Sequence, residues 1–183
     1  MFNFIYRHWL IGKKLREYER EAVSHETECS ELFLEIRNTK GLIDAEKADI
    51  KANDDDIKQD EFEIDSRRKS GDPELFEIYK ENLITSSAGS ATLPEVPTPE
   101  ILAEARGQNN AEISKLQQEI KNLKAANDNA RESIKQREME LRGVRDPNGK
   151  VIKQGLNTRY QGHMAAAQTA RIHSGEVCSR QKA

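Results

Sequence analysis

The stretch ISKLQQEIKNLKAANDNARESIKQREMEL, from Ile113 to Leu141, repeats its core residues at alternating steps of three and four. The average step of 3.5 residues is that of helices wound around each other in a left-handed coiled coil. The repeat consists of Ile113, Leu116, Ile120, Leu123, Asn127, Ala130, Ile134, Arg137 and Leu141. The stretch is therefore predicted to be a helix that packs on another helix through this row of residues. We call the row the seam.

Asn127 occupies the middle of this seam, where an apolar residue is the usual choice. A buried asparagine costs stability unless it pairs across the interface, and such a pair fixes the register and the number of strands. Asn127 is accordingly predicted to set the alignment of the helices. The alternative is that Asn127, Ala130 and Arg137 mark a weak, solvated middle where the helices separate.

The helix on which the seam packs is expected to come from residues 14–70. This region holds no proline and a single glycine, Gly41. Strong helix formers dominate this region, and an isoleucine recurs every seventh residue, at Ile36, Ile43, Ile50, Ile57 and Ile64. The residues three positions further on are polar, so this is half of a heptad seam. We expect an antiparallel hairpin of the two long helices, completed by a third helix from residues 74–84 or from another subunit.

The remaining segments read as connections. Asp72 is predicted to be the N-cap of a short helix with Pro73 at its first position. Ser, Gly and three prolines make residues 85–99 a linker. Asp146-Pro147-Asn148-Gly149 has turn residues in their favoured order, flanked by Val144 and Val151, which predicts a small β-hairpin. In the basic tail beyond it, a short helix through residues 163–172 is expected, followed by an unanchored end.

The predicted fold class is all-α: an elongated long-helix hairpin or coiled coil, with a Pro/Ser linker and a small C-terminal β-turn or hairpin plus a basic tail. Five segments make up this organisation. They are an aromatic N-terminal anchor (1–13), a long acidic helix with a short apolar helix (14–84), the linker (85–99), a coiled-coil helix (100–143), and the turn or hairpin with the basic tail (144–183).

The N-terminal segment is apolar and aromatic, and bases follow it. Tyrosine and tryptophan favour places where one side is wet and the other apolar. The segment is predicted to anchor the chain in a partner groove or at a membrane interface; the alternative is that its aromatics cap one end of a helical bundle. The anchor residues are Phe2, Phe4, Tyr6, Trp9, Leu10, Ile11, Lys13 and Lys14.

Composition limits the classes of function. Of the 183 residues, 36% are hydrophobic and 33% are charged, whereas an average globular domain is about 45–50% apolar and about 25% charged. The chain therefore lacks material for a large compact core. Residues 17–83 carry 21 acidic and ten basic side chains, which argues against nucleic acid along this acidic middle, because phosphates need clustered bases.

No pattern of catalytic or ligating residues is present. The four histidines show no metal-ligand spacing, and Asp54-Asp55-Asp56 lacks the glycine and the spaced glutamate of a calcium loop. No phosphate-binding glycine loop, GxSxG or HExxH motif occurs. We expect no enzyme activity, no cofactor, no metal and no small-molecule substrate. Cys29 and Cys178 have no spacing motif, which favours an intracellular or reducing compartment.

The layout of an amphipathic N-terminal segment before a long helical hairpin is similar to that of PspA and ESCRT-III-type membrane-remodelling proteins. The similarity is one of architecture. The predicted function is that of a non-catalytic structural subunit of a large complex, in a virion or an organellar membrane assembly. Its partners would be other protein subunits or copies of itself, bound through the Ile113–Leu141 seam and the isoleucine stripe. The alternative is a peripheral membrane-binding or membrane-remodelling protein that meets anionic lipid through residues 1–16.

Overall fold

The computed structural model describes residues 2–86 and 96–182 and confirms the all-α class. The described part contains four helices and one two-stranded sheet. They are α1 (Phe2–Lys69), α2 (Asp72–Ser86), α3 (Pro99–Arg142), β1 (Gly143–Arg145), β2 (Val151–Gln154) and α4 (Leu156–Lys182). Residues 87–95, which make up most of the predicted linker 85–99, lie outside the described residues, as do the two chain ends.

The long helix α1 is longer than the sequence predicts. It runs without a break through Gly41 and includes the segment that was expected to be a separate anchor. A Cβ added at Gly41 would meet no atom within 4 Å, so this glycine serves no close contact within the chain. Strong helix formers on both sides therefore carry the helix through it.

The chain divides into two compact units, which are described separately. The first, unit 1, is made of Met1–Glu46 and Glu132–Ala183; the second, unit 2, is Lys47–Arg131. Unit 2 contains the C-terminal part of α1, all of α2 and most of α3. Unit 1 contains the N-terminal part of α1, the end of α3, the hairpin and α4.

In unit 2, α1 and α3 pack antiparallel. Asn109 near the start of α3 contacts Arg67 near the end of α1, and Asn127 further along α3 contacts Asn53 further back on α1. Between these contacts lies an apolar cluster drawn from both helices. Its members are Ile57, Ile64, Leu116 and Ile120, with Ile113 and Leu123 packed against it. The predicted antiparallel hairpin of two long helices is present here.

The short helix α2 packs on the first turns of α3 through Leu75, Tyr79 and Ala105. Its start differs from the prediction that Asp72 is the N-cap. The Gly71 carbonyl accepts the bond from the Leu75 N–H, and the Glu74 carboxylate accepts from the Gly71 N–H at 3.2 Å. Gly71 is therefore the cap, as in half of a capping box. The Asp72 carboxylate instead accepts from Nε of Arg106 at 2.9 Å.

In unit 1, the hairpin and α4 follow α3. The strands pair antiparallel around the predicted turn, where Asp146 Oδ1 accepts from the backbone N–H groups of Asn148 and Lys150 at 2.9 and 2.7 Å. Gly143 has a φ of 85°, which favours glycine. A Cβ at Gly155 would fall on backbone atoms of Gly143 and its neighbours, so the base of the hairpin needs glycine.

Helix α4 is 27 residues long, so the expectation of a short helix through 163–172 was wrong; the helix runs to Lys182, into the end that was expected to be unanchored. It runs antiparallel to α1, because Tyr160 lies beside Phe33, while His173 lies beside Tyr18. After Leu156 at its start, the buried side chains of α4 are small, namely Ala167 and Ala170. Small residues bury little apolar area each, which is why the apolar pattern of the sequence underestimated this helix.

Candidate functional site

The residues predicted to bind a partner along the seam are already packed against other parts of the same chain. All twelve are buried or half-buried. They are Ile36, Ile43, Ile50, Ile57 and Ile64 on α1, and Ile113, Leu116, Ile120, Leu123, Asn127, Ile134 and Leu141 on α3. In unit 2, the seam residues of α3 pack on α1 of the same chain. A role for these residues in binding another subunit stays a prediction.

Asn127 has 1% of its surface exposed and joins the two helices of unit 2. Its Oδ1 accepts from Nδ2 of Asn53 at 2.8 Å, and its own Nδ2 donates to Oδ1 of Asp54 at 2.8 Å. Both ends of the amide are therefore satisfied by one turn of α1. Sliding the helices by a heptad would separate these partners, which is how a polar layer selects a register.

A second polar layer lies in unit 1, between Glu46 of α1 and the last turns of α3. Glu46 Oε1 accepts from the Ser133 hydroxyl at 2.7 Å and from Nη2 of Arg137 at 3.3 Å. This layer and the Asn53–Asn127 pair account for two of the polar residues that follow the isoleucines by three positions. Glu46 and Asn53 bond to α3, whereas the hydroxyl of Thr39 donates to a carbonyl of its own helix.

The N-terminal part of α1 presents aromatic rings to solvent. Tyr6 and Trp9 are 60% and 56% exposed, and their rings stack with centroids 6.2 Å apart. The Lys13 ammonium lies 5.9 Å from the centre of the Trp9 ring, and Lys14 is exposed beside it. Leu10 and Ile11 are half-buried. The side chains of Phe2 and Phe4, also predicted as anchor residues, lie outside the described ones.

A further apolar strip, which the sequence analysis missed, lies on the α1 surface within unit 1. Val23 and Leu34 are 53% and 56% exposed, and eleven residues bring a helix back to the same side. Between them, the hydroxyls of Thr27 and Ser30 donate to carbonyls of their own helix, at 2.9 and 3.0 Å. We call these four residues the outer strip. Thr27 and Ser30 are exposed like the two apolar residues, and their hydroxyl donors are used within α1.

Unit 1 also brings together two histidines that are 138 positions apart in the sequence. Nδ1 of His25 on α1 lies 3.0 Å from Nδ1 of His163 on α4, and Nε2 of His163 lies 2.9 Å from a carboxylate oxygen of Glu28. Next to them, burial raises the pKa of the Cys29 thiol, and the negative charges of Glu28 and Glu26 raise it further. Sequence spacing could not reveal this pair, because it depends on how α4 packs on α1.

In the part of the chain that the structure describes, no helix is long and apolar enough to cross a membrane. Comparisons of the chain with protein-family models, with curated proteins and with solved structures found no match.

Proposed function

We propose that this chain is a non-catalytic structural subunit of a larger protein assembly, such as a virion or an organellar membrane complex. The observation that carries the proposal is the outer strip of α1. The chain fills its own seam and still exposes large apolar side chains on the same helix. Contiguous exposed apolar surface marks interaction sites, whereas single exposed residues do not.

The outer strip has the geometry of a surface that packs on a helix. Val23, Thr27, Ser30 and Leu34 follow steps of four, three and four, the spacing by which one side of a helix meets another. Beyond the strip, Leu42 is also exposed. An apolar helix from a partner subunit, or from another copy of this chain, would bury these side chains.

Replacing Leu34 with Glu tests this proposal, because the charge would have to be buried in the partner interface. In extracts of the source cells or particles, we expect the unmodified chain to sediment with a large complex and the Leu34→Glu variant to be released from it. Glu35→Gln, one position away and exposed, is the matched control and should remain bound. Sedimentation of the unmodified chain as a free monomer would contradict the proposal, as would equal behaviour of the two variants.

The exposed pair of Tyr6 and Trp9 supports a second candidate function, that of a peripheral membrane-binding protein. The rings would enter the interface while Lys13 and Lys14 meet anionic headgroups. Trp9 is the only tryptophan of the chain, so a blue shift of its fluorescence on adding anionic vesicles would report insertion directly. If a Tyr6→Ser/Trp9→Ser variant floats with the vesicles as well as the unmodified chain does, this candidate is excluded.

A further inference from the structure

We infer that His25 and His163 form a binding site for a divalent transition-metal ion that clamps α4 onto α1. This inference concerns the two helices of unit 1 and does not depend on the proposed function. It rests on the convergence of the two Nδ1 atoms and on the carboxylate that orients one of the rings.

The hydrogen bonds determine which ring nitrogens are available. A carboxylate only accepts, so the Nε2 of His163 must carry the proton that Glu28 accepts. In the neutral ring this leaves a lone pair on Nδ1, which points at Nδ1 of His25, 3.0 Å away. A carboxylate on the far nitrogen of an imidazole is the arrangement that fixes metal-ligating histidines in proteins.

The spacing of the two nitrogens fits a metal ion with a small adjustment. Zinc–nitrogen bonds of about 2.0–2.1 Å at a tetrahedral angle place two ligand atoms about 3.3 Å apart. The two Nδ1 atoms would therefore separate by about 0.3 Å. His25 would switch tautomer through solvent, losing the proton from Nδ1 and taking one up on Nε2, so that both Nδ1 lone pairs face the ion and both rings stay neutral. Two imidazoles favour zinc, nickel or copper over calcium and magnesium, which need oxygen ligands.

The surroundings leave room for water and supply compensating charge. The His163 side chain is 25% exposed and that of Glu28 is 48% exposed. Glu26 is engaged with Arg171 at 3.0 Å, so Glu28 is the carboxylate that offsets the charge of the ion. Within the described residues, no three potential ligands from His, Cys, Asp and Glu are grouped. Water would hence complete the coordination sphere.

A metal clamp at this position would reinforce a contact with little apolar material. Helix α4 buries Ala167 and Ala170 against its neighbours, and alanine contributes little buried area. An ion that binds only the folded chain stabilises it by an amount that grows with the logarithm of its concentration above Kd. The thermal midpoint of the chain should accordingly rise with added Zn²⁺ and return with a chelator.

The test is calorimetric titration of the full chain with ZnCl₂ near neutral pH, with circular dichroism to verify that each variant is folded. We expect one ion per chain, a loss of at least about tenfold in affinity for His25→Gln and His163→Gln, and a loss of about tenfold for Glu28→Gln. His173→Gln, on α4 beside Tyr18, is the matched control and should bind as the unmodified chain does. Cys178→Ser should bind equally well, and MgCl₂ should give no heat.

A second measurement uses the unmodified chain, in case a histidine variant does not fold. Diethylpyrocarbonate modifies accessible imidazoles, and mass spectrometry locates the modified residues. Zn²⁺ should protect His25 and His163 and leave the modification of His173 unchanged. Absence of saturable binding at millimolar Zn²⁺ would overturn the inference, as would equal protection of all three histidines or loss of binding in His173→Gln.

Discussion

Replacing Asn127 with alanine tests whether the polar layer of unit 2 is a structural element or a solvated gap. The substitution removes two hydrogen bonds of 2.8 Å and leaves Asn53 and Asp54 without their partner on α3. A neutral hydrogen bond contributes about 1 kcal/mol and one to a charged group about 1.5–3 kcal/mol. Because Asn127 is 1% exposed, water does not replace it, and we expect a loss of about 2–4 kcal/mol in the free energy of unfolding.

The assay is urea unfolding followed by circular dichroism, with Asn129→Ala as the control on the same helix. Asn129 is exposed, so its replacement should change stability by less than about 0.7 kcal/mol, in the stabilising direction, because alanine favours helix. In a double-mutant cycle, Asn53→Ala and Asn127→Ala should show a coupling of about 1 kcal/mol or more.

Equal unfolding free energies for Asn127→Ala and Asn129→Ala would refute this reasoning. They would mean that the amide of Asn127 is exchanged for water at no cost and that the middle of the seam is open. A large loss without coupling to Asn53 would instead place the contribution of Asn127 in contacts other than this pair.

Three further predictions concern unit 1. Gly155→Ala should cost about 2–3 kcal/mol in thermal or urea unfolding, because its Cβ would overlap backbone atoms at the base of the hairpin. Gly162→Ala, in the open on α4, should stabilise by about 0.5–1 kcal/mol; equal effects would contradict the hairpin geometry. Cys29, buried and with a raised pKa, should react with iodoacetamide on the order of 100-fold more slowly than exposed Cys178, at a rate set by local opening; equal rates would contradict its burial. The guanidinium bound to Glu26 holds the pKa of that carboxyl below its ordinary value of 4.5, so this ion pair contributes stability above that pH and loses it as the pH falls below it. Glu26→Gln should therefore unfold with a weaker acid dependence than the unmodified chain.

The sequence predicted the parts of the fold that depend on local patterns. The 3.5-residue repeat from Ile113 to Leu141 corresponds to one continuous helix, α3, whose unit 2 part packs on α1. The Asp146–Gly149 turn residues give the expected hairpin. Both follow from the chemistry of a few neighbouring residues, which is visible without a structure.

The remaining features depend on pairing between distant residues. The polar positions after the isoleucines looked like interruptions, because their partners, such as Ser133 for Glu46, lie 87 positions away. Helix α4 was underestimated because beyond Leu156 its buried residues are alanines, which give no apolar pattern. The His25–His163 pair has no signal in the sequence, since neither histidine stands in a ligand motif.

In unit 2, the seam of α3 packs on α1 of the same chain, in the register set by Asn127. Lys124 and Glu61 lie 3.2 Å apart across this pairing and are both exposed, so a zero-length carbodiimide can join them. The measurement is mass spectrometry of cross-linked peptides from a mixture of ¹⁴N- and ¹⁵N-labelled chains. We expect Lys124 to be joined to Glu61 in peptides of unmixed isotope. Mixed-isotope peptides, or the absence of the Lys124–Glu61 cross-link from unmixed peptides, would contradict it.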